Sequence, residues 1–294
     1  MFLALSSSAT LCGDDQVARY REQIKSLDAQ RPESVCQARA TLRDWMPSAE
    51  PVDRAAMFRE FRAFYLDAIR ASDGLLEEAL EPIQNELLNW MQQGQSVQAV
   101  RQRIDSRPEV RGVTARWLDC GFSFDMAEGF FSPAMDSATL LEFAPQLPKD
   151  LGDYVRFRAR EDAERVFAET TPVLAGEELR QRLARWEEFA RSNPQLIETR
   201  TEVRAAVESL APLYFLGPFN FDLQTGRIHP DLIASWSRMD RQSRYGGLAA
   251  ELVRRVKAND RKMTEKDRAL FEPLGMGGEF ENWWQVLQLR LKDR

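Results

Sequence analysis

Two stretches of this chain spell one pattern: residues 122–135 read FSFDMAEGFFSPAM, and residues 219–232, 97 positions on, read FNFDLQTGRIHPDL. Phe122/Phe219, Phe124/Phe221, Asp125/Asp222, Gly129/Gly226 and Pro133/Pro230 are identical pairs. Ser123/Asn220, Met126/Leu223, Phe131/Ile228 and Met135/Leu232 are conservative ones. Phe-x-Phe is the period-2 alternation of a half-buried strand. An Asp followed four residues later by Gly suits a short hairpin loop: the carboxylate accepts backbone N–H groups two and three residues on, and Gly supplies the positive φ that closes the loop. A return strand follows, and Pro133 or Pro230 then stands where a helix would begin, behind Ser132 or His229. Each copy therefore predicts strand, turn, strand and helix, with Asp125, Gly129, Asp222 and Gly226 as the turn-building residues. The pair is a candidate internal duplication, extended thinly by Trp117/Tyr214 and Leu118/Phe215.

Outward from these segments the chain reads as helix. Residues 14–30 and 34–46 are polar amphipathic segments; from 52 to 71, Phe58, Phe61, Tyr65 and Ile69 recur at helical spacing. Leu76, Leu80, Ile83, Leu87 and Trp90 form a further apolar stripe that Pro82 should kink. Short helices are expected at 96–104 and near 231–239, and longer ones at 149–168, over Leu179–Ala190 and at 244–258. Asn193-Pro194 resembles the cap and first turn of a further helix carrying Leu196, Val203, Val207, Leu210 and Tyr214, and Thr264 with Asp267 a capping box. Phe280, Trp284, Leu287 and Leu291 line a terminal helix. The expected fold is mainly α, a multi-helix globular fold with two small β-hairpins. It is organised as a 1–12 leader remnant or anchor segment, an N-terminal helical half at 13–106, and a half at 107–294 holding both hairpin–helix units.

Composition bounds the function. With 294 residues, 44% hydrophobic and 29% charged, the chain can bury a full core. Its net charge of −6, without a block of basic residues, argues against a nucleic-acid partner, because phosphate neutralisation needs a clustered cationic face. No apolar run approaches the roughly 20 residues of a membrane span. Met1 to Asp15 resembles the tail of a secretory signal, with Cys12 where a bacterial lipoprotein carries its acylated cysteine, although Leu11 is a poor fit to the small residue usual before it. Acylation of Cys12 would leave Cys36 and Cys120 as a candidate disulfide; three unpaired thiols in the cytosol are the alternative. Membrane association is expected only through such an anchor, with a periplasmic or outer-membrane-anchored location.

Chemistry-bearing motifs are sparse. His229 is the sole histidine, so nucleophilic triads have one candidate base, and its place before Pro230 suits a helix cap. One histidine and three scattered cysteines exclude the common zinc spacings, so neither metal nor cofactor is expected. Gly275-Met-Gly-Gly278 lacks the strand and the Lys-Ser/Thr of a phosphate cradle. The aromatics Trp117, Phe122, Phe124, Phe130, Phe219 and Phe221, with Trp283 near the C-terminus, are expected to build core; any face left uncovered is the candidate surface for a protein partner.

One segment carries an enzymatic reading. Glu128-Gly-Phe-Phe131-Ser-Pro133-Ala-Met-Asp-Ser137 resembles the catalytic segment of lytic transglycosylases, which implies that Glu128 protonates a glycosidic oxygen as general acid. Gly129 stands where that family has serine, the alanine after the proline is displaced, and the downstream Gly-Leu-Met-Gln segment is absent. The leading expectation is a non-enzymatic binding or inhibitory protein of the bacterial envelope, such as an immunity protein. The alternatives are a peptidoglycan-cleaving glycosidase using Glu128 and a cytosolic interaction module.

Overall fold

The computed structural model describes residues 13–72, 85, 89, 97–127, 130–164, 166–168, 171, 172, 174, 176–217, 220–222 and 224–292. The apolar stripe from Leu76 to Trp90, the lipoprotein position Cys12, and Glu128, Gly129 and Phe219 lie outside the described residues. The fold is mainly α, and no described helix is long and apolar enough to cross a membrane. The chain divides into two compact units, Met1–Val173 and Leu174–Arg294. The division falls well after the 106/107 boundary expected from the sequence. Residues 107–173 belong with the first unit because the aromatic side chains and the disulfide of that stretch are tied to the helices before it.

In the first unit, α1 (Gly13–Lys25), α2 (Pro32–Trp45) and α3 (Pro51–Ala71) pack against one another. Pro32 and Pro51 open their helices at positions where a missing N–H costs nothing. Phe58, Phe61, Tyr65 and Ala68 recur every three to four residues along α3 and are buried, with Met57 buried beside them. Helices α4 (Val97–Asp105) and α5 (Pro108–Leu118) lead into the hairpin of β1 (Phe122–Ala127) and β2 (Phe130–Met135). Phe122 is edge-on to both Tyr65 and Trp117, at 5.1 and 5.5 Å between ring centroids. Helix α6 (Lys149–Ala163) closes the unit and sets Tyr154 beneath the Arg62 guanidinium, 5.4 Å from the ring centre. A minimal pair follows, β3 (Phe167–Ala168) with β4 (Thr171–Pro172). The long helix expected to 168 thus ends at 163.

The hairpin corrects the turn reading of its segment. Its register runs from Phe122 opposite Met135 to Ala127 opposite Phe130, so only two residues connect the strands. Asp125 therefore sits within the ladder opposite Ser132, not at a turn corner. Pro133 lies in β2 opposite Phe124 and starts no helix; as part of a two-stranded ribbon it occupies an edge strand, where a missing N–H is tolerated. Asp136 begins a 3-10 turn at Ser137 instead, its carboxylate accepting the Ala138 N–H.

The second unit contains α7 (Gly176–Ser192), a π-helical turn (Thr199–Val203) running into α8 (Arg204–Leu216), α9 (Pro230–Ser237), α10 (Gly246–Ala258), the short α11 (Arg268–Phe271) and α12 (Gly277–Lys292). Phe215 sits at its centre, with Tyr214, Trp236, Tyr245 and Phe271 at 4.8–6.4 Å between ring centroids. Asn193 does not start a helix: its side-chain amide donates to the Phe189 carbonyl and finishes α7. The expected Thr264–Asp267 capping box is present.

Here the second copy of the repeat keeps the predicted turn. The Asp222 carboxylate accepts the N–H groups of Gln224 (2.7 Å) and Thr225 (3.1 Å), Gly226 has φ +67°, and Pro230 opens α9 behind His229. Pairing is one bridge, Phe221 to Ile228, enclosed by the Asp222 N–H on the Arg227 carbonyl and the His229 N–H on the Asn220 carbonyl; the outward Ile228 N–H donates to the Arg261 carbonyl at 2.7 Å. The two copies thus share a strand–turn–strand outline but neither a turn nor a following helix. Among the described residues they form no common sheet: β1 pairs with β2 alone.

Candidate functional site

Of the aromatic residues singled out in the sequence, five are core. Trp117, Phe122, Phe124, Phe221 and Trp283 are each at most 7% exposed. These five side chains are spent on packing. Phe130 has its backbone in β2. Trp283 faces inward onto Phe221 and Phe280, while the adjacent Trp284 is half-exposed and stacks on Phe280 at 6.2 Å. Asp125 is exposed.

Cys36 on α2 and Cys120, between α5 and β1, are joined by a disulfide with a Cα–Cα distance of 4.7 Å. Cys120 is buried and Cys36 half-buried. The bond crosses 84 residues of sequence and links the two parts of the first unit that the sequence had assigned to different halves.

A polar cluster surrounds the next residue, Gly121. Its φ is +95°, and a Cβ there would come within 3.0 Å of the Thr139 hydroxyl and 3.2 Å of the Tyr65 hydroxyl, so only glycine fits. The Gly121 carbonyl accepts the Tyr65 hydroxyl and the Asp136 N–H. Arg101 bridges the Asp136 carboxylate and the Leu118 carbonyl, each at 3.2 Å. Burial pushes the Asp136 carboxyl above its ordinary range against the opposing pull of the Ala138 N–H and Arg101. Beside it, Ser137 donates to Asp162, which also receives Arg158 Nε at 2.9 Å. Farther along the segment, Glu142 lies between Arg39 and Arg43; burial opposes its ionisation, but the two guanidinium groups prevail and hold it below the usual glutamate range.

The second unit carries a cluster centred on Glu177. Glu177, in the first turn of α7, accepts Arg180 Nε and Nη2, Arg238 Nη2 at 2.8 Å, Gln181 Nε2 at 3.2 Å and the Ser235 hydroxyl at 3.1 Å. With its one proton directed to Glu177, Ser235 accepts from the Tyr214 hydroxyl 3.0 Å away. Arg180 first, then Arg238, Gln181 and Ser235, hold the Glu177 carboxyl far below the glutamate range. Burial pushes the Tyr214 phenol up to about 12. Arg180, Arg238 and Gln181 already engage the Glu177 carboxylate beside Ser235, and the hydroxyl–carboxylate chain ties α7 to α8 and α9.

The sequence reading missed Glu177, Ser235, Tyr214, Asp136 and Arg101. Only the Glu177–Arg180 pair, three residues apart on one helix, carries a local signal. Among the described residues no group of histidine, cysteine and carboxylate side chains is arranged to hold a metal ion. No protein-family model, curated protein or solved structure matches the chain.

Proposed function

We propose that the chain is a non-enzymatic, helix-rich binding or inhibitory protein of the bacterial envelope, of which an immunity-type protein is the narrower form. The observation that carries this reading is the Cys36–Cys120 disulfide, because such bonds persist in oxidising compartments and are rare in the cytosol. The leader-like start of the sequence agrees with it. The non-catalytic part is supported by the polar clusters: the buried serines that meet carboxylates, Ser137 and Ser235, do so where arginine already neutralises the carboxylate.

The test is the intact mass of the protein isolated from its own cells, before and after reduction. A processed or acylated N-terminus near Cys12, with a gain of about 2 Da on reduction, is the expected result. A full-length species with three free thiols would overturn the location. Immobilised oxidised protein should retain a defined partner from envelope or exported-effector extracts, and it should leave a peptidoglycan suspension turbid. Clearing that is lost on Glu128→Gln would replace the binding reading with the glycosidase one.

A further inference from the structure

All three cysteines of the chain lie in the unit Met1–Val173, and the unit Leu174–Arg294 has none. The Cys36–Cys120 bond joins α2 to the end of α5. The ion pair along the same seam is Glu33 with Arg116 at 3.3 Å, both side chains more than half exposed. Such a pair contributes little in water. The covalent tie adds to the direct packing of these two helices, and it constrains a loop long enough for its loss to enlarge the unfolded ensemble greatly.

Cys36 is half-buried whereas Cys120 is 4% exposed, so Cys36 is the more open side of the bond. We propose that the Cys36–Cys120 bond is a redox latch on the first unit alone: a dithiol reductant opens the α2–α5 seam and loosens Met1–Val173, while Leu174–Arg294 keeps its fold. The reductant's thiolate attacks Cys36 Sγ, the S–S bond breaks, and Cys120 leaves as a thiolate that takes a proton. The reductant's second thiol then closes on its first sulfur and releases Cys36. The products are two protein thiols and one cyclic disulfide of the reductant.

The latch shares only the existence of the bond with the functional reading above. It is tested on purified full-length oxidised protein with Cys12 alkylated, by hydrogen exchange before and after dithiothreitol, the reduction being verified by mass. The expected result is that the slowest-exchanging amides of α2, α3 and α5 exchange about a thousandfold faster after reduction, while those of α7 to α10 do not change. The C36S/C120S double variant should reproduce the reduced pattern. Should that variant not fold, the reduced wild-type protein supplies the measurement. Unchanged exchange in the first unit after verified reduction would overturn the latch, as would equal loosening of both units. Either outcome leaves the functional reading standing, since that reading depends on location and partner. Three free thiols in protein prepared under oxidising conditions would overturn the latch and remove the support for export together.

Discussion

Glu177→Gln isolates the charge of a well-connected polar group in the second unit. Glutamine keeps the shape and one acceptor oxygen, so Ser235 and Tyr214 retain their places, while Arg180 and Arg238 lose their counter-charge. Exposed ion pairs are worth about 0.2–1 kcal/mol, and hydrogen bonds to buried charges about 1.5–3 kcal/mol. The Glu177 side chain is 34% exposed and that of Arg180 20%, so solvent screens both contacts to a large degree. About 1 kcal/mol for each guanidinium gives a cost of about 2 kcal/mol at neutral pH. On a unit of this size that lowers its melting temperature by about 8 °C.

The pH dependence gives the sharper signature. Because the folded-state pKa of Glu177 is depressed, its stabilisation is fully present above the ordinary glutamate value of 4.5 and is lost as pH falls toward the folded value. Urea unfolding of the wild type and the variant between about pH 7 and pH 2 should therefore show two curves that converge on the acid side. A difference that stays constant across that window, or one below about 0.5 kcal/mol at neutral pH, would refute the electrostatic account of the cluster.

Arg261 sits at φ +62°, in the left-handed region, with its N–H on the Val256 carbonyl and its carbonyl on the Ile228 N–H. Arg261→Gly keeps both bonds and removes the side-chain conflict, so it should raise stability by about 1 kcal/mol, read by urea unfolding. Gly226→Ala, at φ +67° in the Asp222 turn, should lower it by about 1 kcal/mol in the same assay; a neutral result would remove the turn argument. Phe215→Ala opens a cavity among four aromatic rings and should cost about 3–5 kcal/mol, with loss of near-ultraviolet circular dichroism from the surrounding tryptophan and tyrosines.

What the sequence disclosed is largely one-dimensional physics. The spacing of Phe58, Phe61 and Tyr65, and the proline at 230, place helices because helix starts and apolar faces are written within a turn or two of chain. The same local grammar misread Asn193-Pro194, since an asparagine beside a helix end can serve either the helix behind it or the one ahead. It also misread the first copy of the repeat. Asp125 and Asp222 have like neighbours, but strand pairing from 122 to 135 runs past Asp125, whereas pairing beside Asp222 is the single Phe221–Ile228 bridge, whose outer Ile228 N–H is taken by the Arg261 carbonyl, 33 residues on. Register is settled by such distant partners. The polar clusters fail for the same reason: Glu177 and Ser235 are 58 residues apart, and Arg101 and Asp136 are 35 apart. Nothing in either local stretch announces its partner.

The two units are fastened by different physics, which makes them separately addressable. The Cys36–Cys120 bond acts mainly on the unfolded ensemble of Met1–Val173, whereas Glu177 acts on the folded state of Leu174–Arg294. Combining C36S/C120S with E177Q in one chain therefore measures something that neither change gives alone. Independent units should show two calorimetric transitions, each moved by one of the changes, with costs that add to within about 0.5 kcal/mol. A single transition that responds to both would report one cooperative body, and the excess over additivity would be its coupling free energy. The outcome also bears on binding. With independent units, a partner retained by the oxidised protein and released by dithiothreitol is held by Met1–Val173, because reduction leaves the other unit folded. A partner retained in both states is held by Leu174–Arg294.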